Sequence, residues 1–335
     1  MKRKILILIA LCSFSFILIY CLHTICLEQN LKIGNFERNL INKKLNKIEE
    51  IVLPIDASNF IGFTNNCIYL SLDKLDRILK YDLKSKHSII KKLNHINHNS
   101  NILGDSLFSF DPHTRKMYVY NTKTLNFITD TSLKVGFDRA LAIDKNTILL
   151  RSTNADYSKM VFSAFDLKTK INSKLKIQSN DSLEVDGGLK TDGFFSYNDS
   201  IVIFTQYKKG NFYKINKSLN QIIHYSTLDN IQNVEGVRRS VDSSYYFDKP
   251  VLNSNLLTSI FKSRLYVISF VKSTTDKLNQ FTKFRMVDVY SLKTGKYLES
   301  FYLPNNGIHK TNNFYISENK IYLLFNNKIL IYELN

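Results

Sequence analysis

Tryptophan is absent from this chain of 335 residues, and cysteine (4), proline (4) and glycine (11) are scarce. So few cysteines cannot build a disulfide scaffold, and so few glycines and prolines exclude a collagen-like or low-complexity polymer. Acidic residues are also short, 29 against 46 Lys and Arg, which leaves a net charge of +17. The common enzyme signatures are missing too. There is no GxSxG elbow, no phosphate-binding GxxxxGK[ST], no GxGxxG after a strand and no CxxC pair. What remains is an ordinary folded chain, 44% apolar and 22% charged, with enough core for one large domain or two small ones. Its 19 Tyr and 23 Phe, with abundant Ile and little Ala, favour strand over helix.

The chain begins with Lys2, Arg3 and Lys4 ahead of an apolar run from Ile5 to Ile25, with no further charge until Glu28. Basic then apolar is the order that sends the following chain out of the cytoplasm. The run is long enough to span a bilayer, which takes about 20 residues. Leu18, Ile19, Tyr20 and Leu22 are large where a cleavage site wants small residues, and Thr24 with Cys26 is the least poor pair, before Leu27. No cysteine follows a small residue, as lipid attachment would want. Residues 1–26 are therefore expected to be an uncleaved membrane anchor, with a cleaved signal and a lipoprotein as alternatives. Three of the four cysteines lie in this segment. Cys67 is left alone in the body, where no internal disulfide is possible and no disulfide-linked oligomer is expected. Its apolar surroundings, Cys67-Ile68-Tyr69-Leu70, read as a buried small hydrophobe.

Residues 27–49 read as a stalk, because Ile41, Leu45 and Ile48 fall at helical spacing and predict a short amphipathic helix over 36–50. Over residues 50–335 the helical period gives way to short apolar runs between Asn, Asp, Ser and Lys turns. These runs repeat. An aromatic or Ile, then Asp, Asn or Ser, then a Lys-rich turn occurs at Tyr81-Asp82, Tyr120-Asn121, Phe165-Asp166, Ile215-Asn216 and Tyr290-Ser291, and the chain closes on Tyr332-Glu333. Most of these steps are about 40–50 residues, the length of a four-stranded propeller blade. Ile201-Val202-Ile203-Phe204, Leu265-Tyr266-Val267-Ile268 and Ile321-Tyr322-Leu323-Leu324 are continuous apolar runs, as in sheets covered on both faces. The fold expected is all-β, a six-bladed propeller with blades near 57–94, 101–132, 137–178, 191–228, 252–303 and 312–334. The last blade offers three strands, and Glu50–Ile55 is expected to supply the fourth and close the ring. The polar stretch 229–250 reads either as a long loop or as the remnant of a seventh blade.

The segments Asp186-Gly187-Gly188-Leu189-Lys190 to Tyr213, Phe247-Asp248-Lys249-Pro250-Val251, Met286 to Leu292 and Lys320 to Leu334 resemble exported β-propeller proteins of Bacteroidetes, of the TolB-like or NHL-like kind. The resemblance spans roughly 50–335 and implies a six-bladed fold, without implying an activity. Quinone-dependent propeller enzymes, whose docking motifs are rich in tryptophan, are disfavoured by its absence.

The lysine excess reads first as solvated turn residues and second as attraction to an anionic surface. Nucleic acid is not expected of an exported chain without a recognition motif. His95 and His98, with His87 upstream, read as a solvated turn rather than a metal site, and neither metal nor cofactor is expected. Propeller ligands sit at the axial mouth. The candidate ligand-binding residues are therefore Asp186, Lys190 and Asp192 in one loop, with Arg238, Arg239 and Tyr246 in the stretch 235–250. The function expected is a non-enzymatic binding module of the cell envelope, outside the cytoplasm, for an envelope protein or an acidic glycan. The alternative is a propeller hydrolase or lyase with its site at the central mouth.

Overall fold

The recurring aromatic–Asp/Asn pattern marks the places where the third strand of a sheet turns back into the fourth. Tyr81, Tyr120, Phe165, Ile215 and Tyr290 are each buried at the end of a third strand. The Asp or Asn that follows folds the turn: the Asp82 carboxylate accepts the backbone N–H groups of Lys84 and Ser85 at 2.9 and 2.8 Å. Asn121 does the same for 123 and 124, and Asp166 for 168 and 169. The computed structural model describes residues 14–16, 18 and 32–334, except 65, 75, 98, 155–157, 177–184, 243, 305–310 and 312. Most of the targeting segment expected at 1–26 lies outside the described residues. Among the described residues no helix is long and apolar enough to cross a membrane.

The chain is all-β and forms six four-stranded antiparallel blades. Blade one is β3 (Ala57–Thr64), β4 (Cys67–Leu72), β5 (Arg77–Asp82) and β6 (Ser88–Lys92). Blade two is β7 (Asn99–Leu103), β8 (Ser106–Asp111), β9 (Lys116–Asn121) and β10 (Phe127–Ser132). Blade three is β11 (Arg139–Ala142), β12 (Thr147–Thr153), β13 (Met160–Asp166) and β14 (Asn172–Lys174). Blade four is β15 (Gly193–Tyr197), β16 (Ile201–Gln206), β17 (Asn211–Asn216) and β18 (Ile222–Ser226). Blade five is β21 (Asn255–Phe261), β22 (Arg264–Ser269), β24 (Arg285–Ser291) and β25 (Tyr297–Leu303). Blade six takes β26 (Asn313–Ser317), β27 (Lys320–Phe325) and β28 (Lys328–Glu333) from the end of the chain, and β2 (Lys47–Val52) from near its start. The inner strands touch in a closed circle, β3 to β7, β11, β15, β21, β26 and back to β3. Each apolar cluster of the core lies between two neighbouring blades, one holding Leu70 and Tyr322 between blades one and six and another holding Val287 and Leu323 between five and six. No blade buries both faces unaided, so the circle is the unit that folds.

β2 pairs antiparallel with β28 and closes the ring, three residues earlier than Glu50–Ile55. Pro54, lacking an N–H, sits just beyond the strand, and Ile51 faces the core opposite Ile329. The stretch 229–250 is not a seventh blade. It carries a separate two-stranded hairpin, β19 (Val237–Arg239) with β20 (Tyr245–Phe247).

The helix expected over 36–50 does not form. β1 (Lys32–Ile33) pairs in parallel with β23 (Val271–Lys272), and residues 34–46 run without helix along blades five and six. Ile41 and Leu45 do find apolar neighbours, on the cluster between those blades. Sheet edges replace the bonds a helix would have made internally, since Ile41 N–H donates to Ser300 O, and Ser300 and Glu333 donate to the carbonyls of Asn39 and Asn46. Arg38 pins the segment. Its buried guanidinium pairs with Asp276 and Asp288 and also donates to Ser269 Oγ and Val271 O, both at 2.9 Å. One short helix, α1 (Leu278–Lys283), follows in the same excursion of blade five.

Candidate functional site

The ring leaves a channel along its axis with two mouths. The connections that enter inner strands, together with the turns between second and third strands, make one end, called here the loop mouth. The hairpins between first and second and between third and fourth strands make the other, the hairpin mouth. A cavity of about 310 Å³ at the loop mouth is lined by the amides of Asn59, Asn97, Asn99 and Asn313 and by Arg139, Phe194 and Tyr207. A wider one of about 820 Å³ opens at the hairpin mouth. Tyr197, on the inner strand of blade four, lies between them. Its hydroxyl accepts Ile102 N–H at 3.0 Å and donates to Ile61 O at 3.3 Å, which ties blade four across the axis to blades two and one.

All six candidate ligand residues belong to the loop end, and the structure brings their two segments together. Gly187 has φ +65° and lies against the Tyr245 ring, so that a Cβ there would come within 2.7 Å of it. The loop and the β19–β20 hairpin meet at that glycine because no side chain intervenes. The individual roles differ from the expectation. Asp186 is buried, and its carboxylate accepts the N–H groups of Gly188 and Lys190 at 2.9 and 2.7 Å, holding its own loop in shape. Asp192 lies 3.3 Å from the Arg139 guanidinium and 3.8 Å from that of Arg151. Arg238 and Tyr246 are opposite one another in the hairpin register, and Arg238 Nε donates to Asp248 at 2.8 Å. Arg239 lies over the Tyr245 ring, 5.7 Å from its centroid.

Sequence reasoning missed the residues that organise this end. Arg139 and Arg151 are cross-strand partners on β11 and β12, an arrangement that repels unless counter-charge is supplied. Asp138 and Asp192 supply it. Arg151 is buried and donates to Gly188 O at 2.7 Å, so one guanidinium fixes the whole 186–192 loop. Burial pushes it below its usual range, against the pull of Asp192 and Asp186. The alternation Phe137-Asp138-Arg139-Ala140 was the available signal. Burial also lowers Lys208, which lies 5.1 Å from the centroid of the Phe247 ring on the underside of the hairpin.

His95 is not in a solvated turn. It is buried, stacks on Tyr118 with ring centroids 3.7 Å apart, and its Nε2 lies 2.6 Å from Ser109 Oγ. The aromatic partner and the hydroxyl draw it inward. Burial depresses its pKa to about 4. An unfolded histidine titrates near 6.5, so the neutral ring stabilises the fold fully above that value. The stability is lost as pH falls from about 6.5 towards 4. Melting curves should drop over that window in the native chain and drop less in His95→Gln. Equal slopes would remove His95 as the cause. Cys67 is buried as expected, 3.7 Å from Asp82 Oδ2, and burial raises its thiol.

No protein-family description matches the chain, and no curated protein matches it in sequence. Solved structures do. A member of the DUF4221 family from Bacteroides vulgatus superposes with a TM-score of 0.51 at 11% identity, over 89% of this chain and 98% of that one. A candidate exported protein of Bacteroides fragilis gives 0.50 at 15% identity, over 90% and 94%. Virginiamycin B lyase from Staphylococcus aureus gives 0.52 at 10% identity, over 87% and 100%. At these identities the likeness is one of fold, and it bears out the resemblance of this six-bladed propeller to Bacteroides propeller proteins.

Proposed function

We propose that the protein is a binding module of the cell envelope, held outside the cytoplasm by residues 1–26, and that its loop mouth recognises a protein partner. The observation that carries this reading is the β19–β20 hairpin. Its underside is fixed, Tyr245 on Gly187 and Phe247 over Lys208. Its other face presents Arg238 and the half-exposed Tyr246, with Val241 fully exposed at the tip. A rigid platform of Tyr and Arg beside a polar pocket is how protein interfaces concentrate their binding energy. Charge favours a protein over a polyanion here. Arg38, Arg139, Arg151 and Arg238 each face an aspartate, and Lys249 lies 3.7 Å from Glu235. The basic-then-apolar start supports export, as does the likeness to a candidate exported protein.

A photo-crosslinking amino acid at position 246 in the full chain, expressed in cells, should capture one discrete protein. The same probe at Asn220, in a hairpin of the opposite end, should not. Adding Arg238→Glu should abolish the adduct at 246 while leaving the melting temperature nearly unchanged. No adduct at 246, or the same adduct from 220, would overturn the assignment.

A further inference from the structure

We infer that the hairpin mouth is a second binding site, for an anionic oligosaccharide. The argument rests on how the two ends of the ring treat their cations. At the loop mouth Arg139, Arg151 and Arg238 are matched by aspartates. At the hairpin end Lys86 and Arg264 pair with glutamates of the outermost strands, whereas three lysines spend their ammonium groups on neutral oxygens of the next blade. Lys80 of blade one donates to Lys123 O of blade two at 2.6 Å, Lys214 of blade four to Leu292 O of blade five at 2.6 Å, and Lys262 of blade five to Asn319 Oδ1 of blade six at 3.1 Å. These bonds fix the cations in position without cancelling their charge.

Lys80, Lys123, Lys217 and Lys262, from four different blades, line the 820 Å³ cavity at this mouth. That volume falls within the range of about 300–1,000 Å³ typical of ligand sites. Three aspartates share the rim. Asp82 accepts two turn N–H groups and Asp105 stands 3.9 Å from Lys123, but both keep their charge, so with Asp199 three carboxylates face four ammonium groups and the rim is cationic by one charge. Inside, Phe63 and Tyr315 from adjoining blades stack with centroids 4.2 Å apart and planes within 14°. Fixed cations call for carboxylates, the remaining acids and amides for hydroxyl groups, and an aromatic floor for the apolar face of a sugar ring. A saccharide bearing carboxylates carries all three. A bare polyanion would meet the aspartates unfavourably.

Calorimetry on the full chain in non-ionic detergent tests this with trigalacturonate, the neutral trisaccharide galactotriose and inorganic phosphate. Trigalacturonate should bind, more weakly as salt rises. Galactotriose and phosphate should each bind at least about tenfold more weakly, because each lacks one half of the recognised chemistry. Lys123→Glu with Lys217→Glu, neither of which bridges blades through its side chain, should weaken trigalacturonate about tenfold or more with an unchanged melting temperature. Arg238→Glu at the other mouth should leave it unchanged. Equal binding of galactotriose, equal binding of phosphate, or no effect of the paired lysine reversals would overturn the site. The crosslink at position 246 is unaffected by any of these outcomes, so the two assignments fail separately.

Discussion

Replacing Arg38 with methionine is expected to lower folding stability by about 3–5 kcal/mol, the usual cost of stranding buried charge. Asp276 and Asp288 would lose the guanidinium they share, and the apolar stem could not hydrogen-bond either carboxylate. Ser300 Oγ, which donates to Asp288 at 2.6 Å, and Ser273 N–H, which donates to Asp276 at 2.8 Å, would remain as neutral donors. Urea titration of the full chain reads the loss directly as a lower midpoint. Converting both aspartates to asparagine in the Arg38→Met background should recover part of it, since the charges would go together with their partner. A loss under about 1 kcal/mol would mean that the 32–46 segment is peripheral to the fold, whatever its contacts.

Beginning the chain at residue 54 should be worse still. That truncation removes β2 and with it Ile51 and Leu53, both buried between blades one and six. β28 would become an open edge, a template for pairing with another chain. The expected outcome in size-exclusion chromatography is association or aggregation, not a monomer with a slightly lower melting temperature. Ile51→Ala alone, which keeps the backbone ladder, should cost about 2–5 kcal/mol. A monomeric truncated body melting with the native chain would disprove closure of the ring by β2.

Much of this architecture was legible in the sequence because blades repeat one chemical solution. The aromatic that ends a third strand and the Asx that folds the next turn sit side by side in sequence, so spacing alone exposes them. The closing strand was legible for the same reason, by counting strands in the last blade. Residues 34–46 were not, because two apolar residues four apart satisfy a helix and an extended chain lying on a sheet edge equally well, and Arg38 looked like one more surface charge. The loop end was half legible. Asp186 and Asp192 stood out through their glycines, but Asp186 turns out to shape its own loop, and the cross-strand pair of Arg139 and Arg151 exists only once a register is known. The lysines of the hairpin end were hidden by abundance. Nothing in composition separates a lysine bonded to a neighbouring blade's carbonyl from one in solvent.

Tyr197 stands where the two cavities of the axis meet. Together with Tyr315 it borders both cavities, and its one hydroxyl is shared by backbone groups of two blades on the far side. The molecule therefore has two vestibules back to back, with the side chains of Tyr197, Ile260 and Tyr315 common to both. A guest in either vestibule that draws the Tyr197 phenol towards itself strains the two hydrogen bonds that hold it to blades one and two. By linkage, whatever factor one guest imposes on the affinity of the second is returned unchanged to the first.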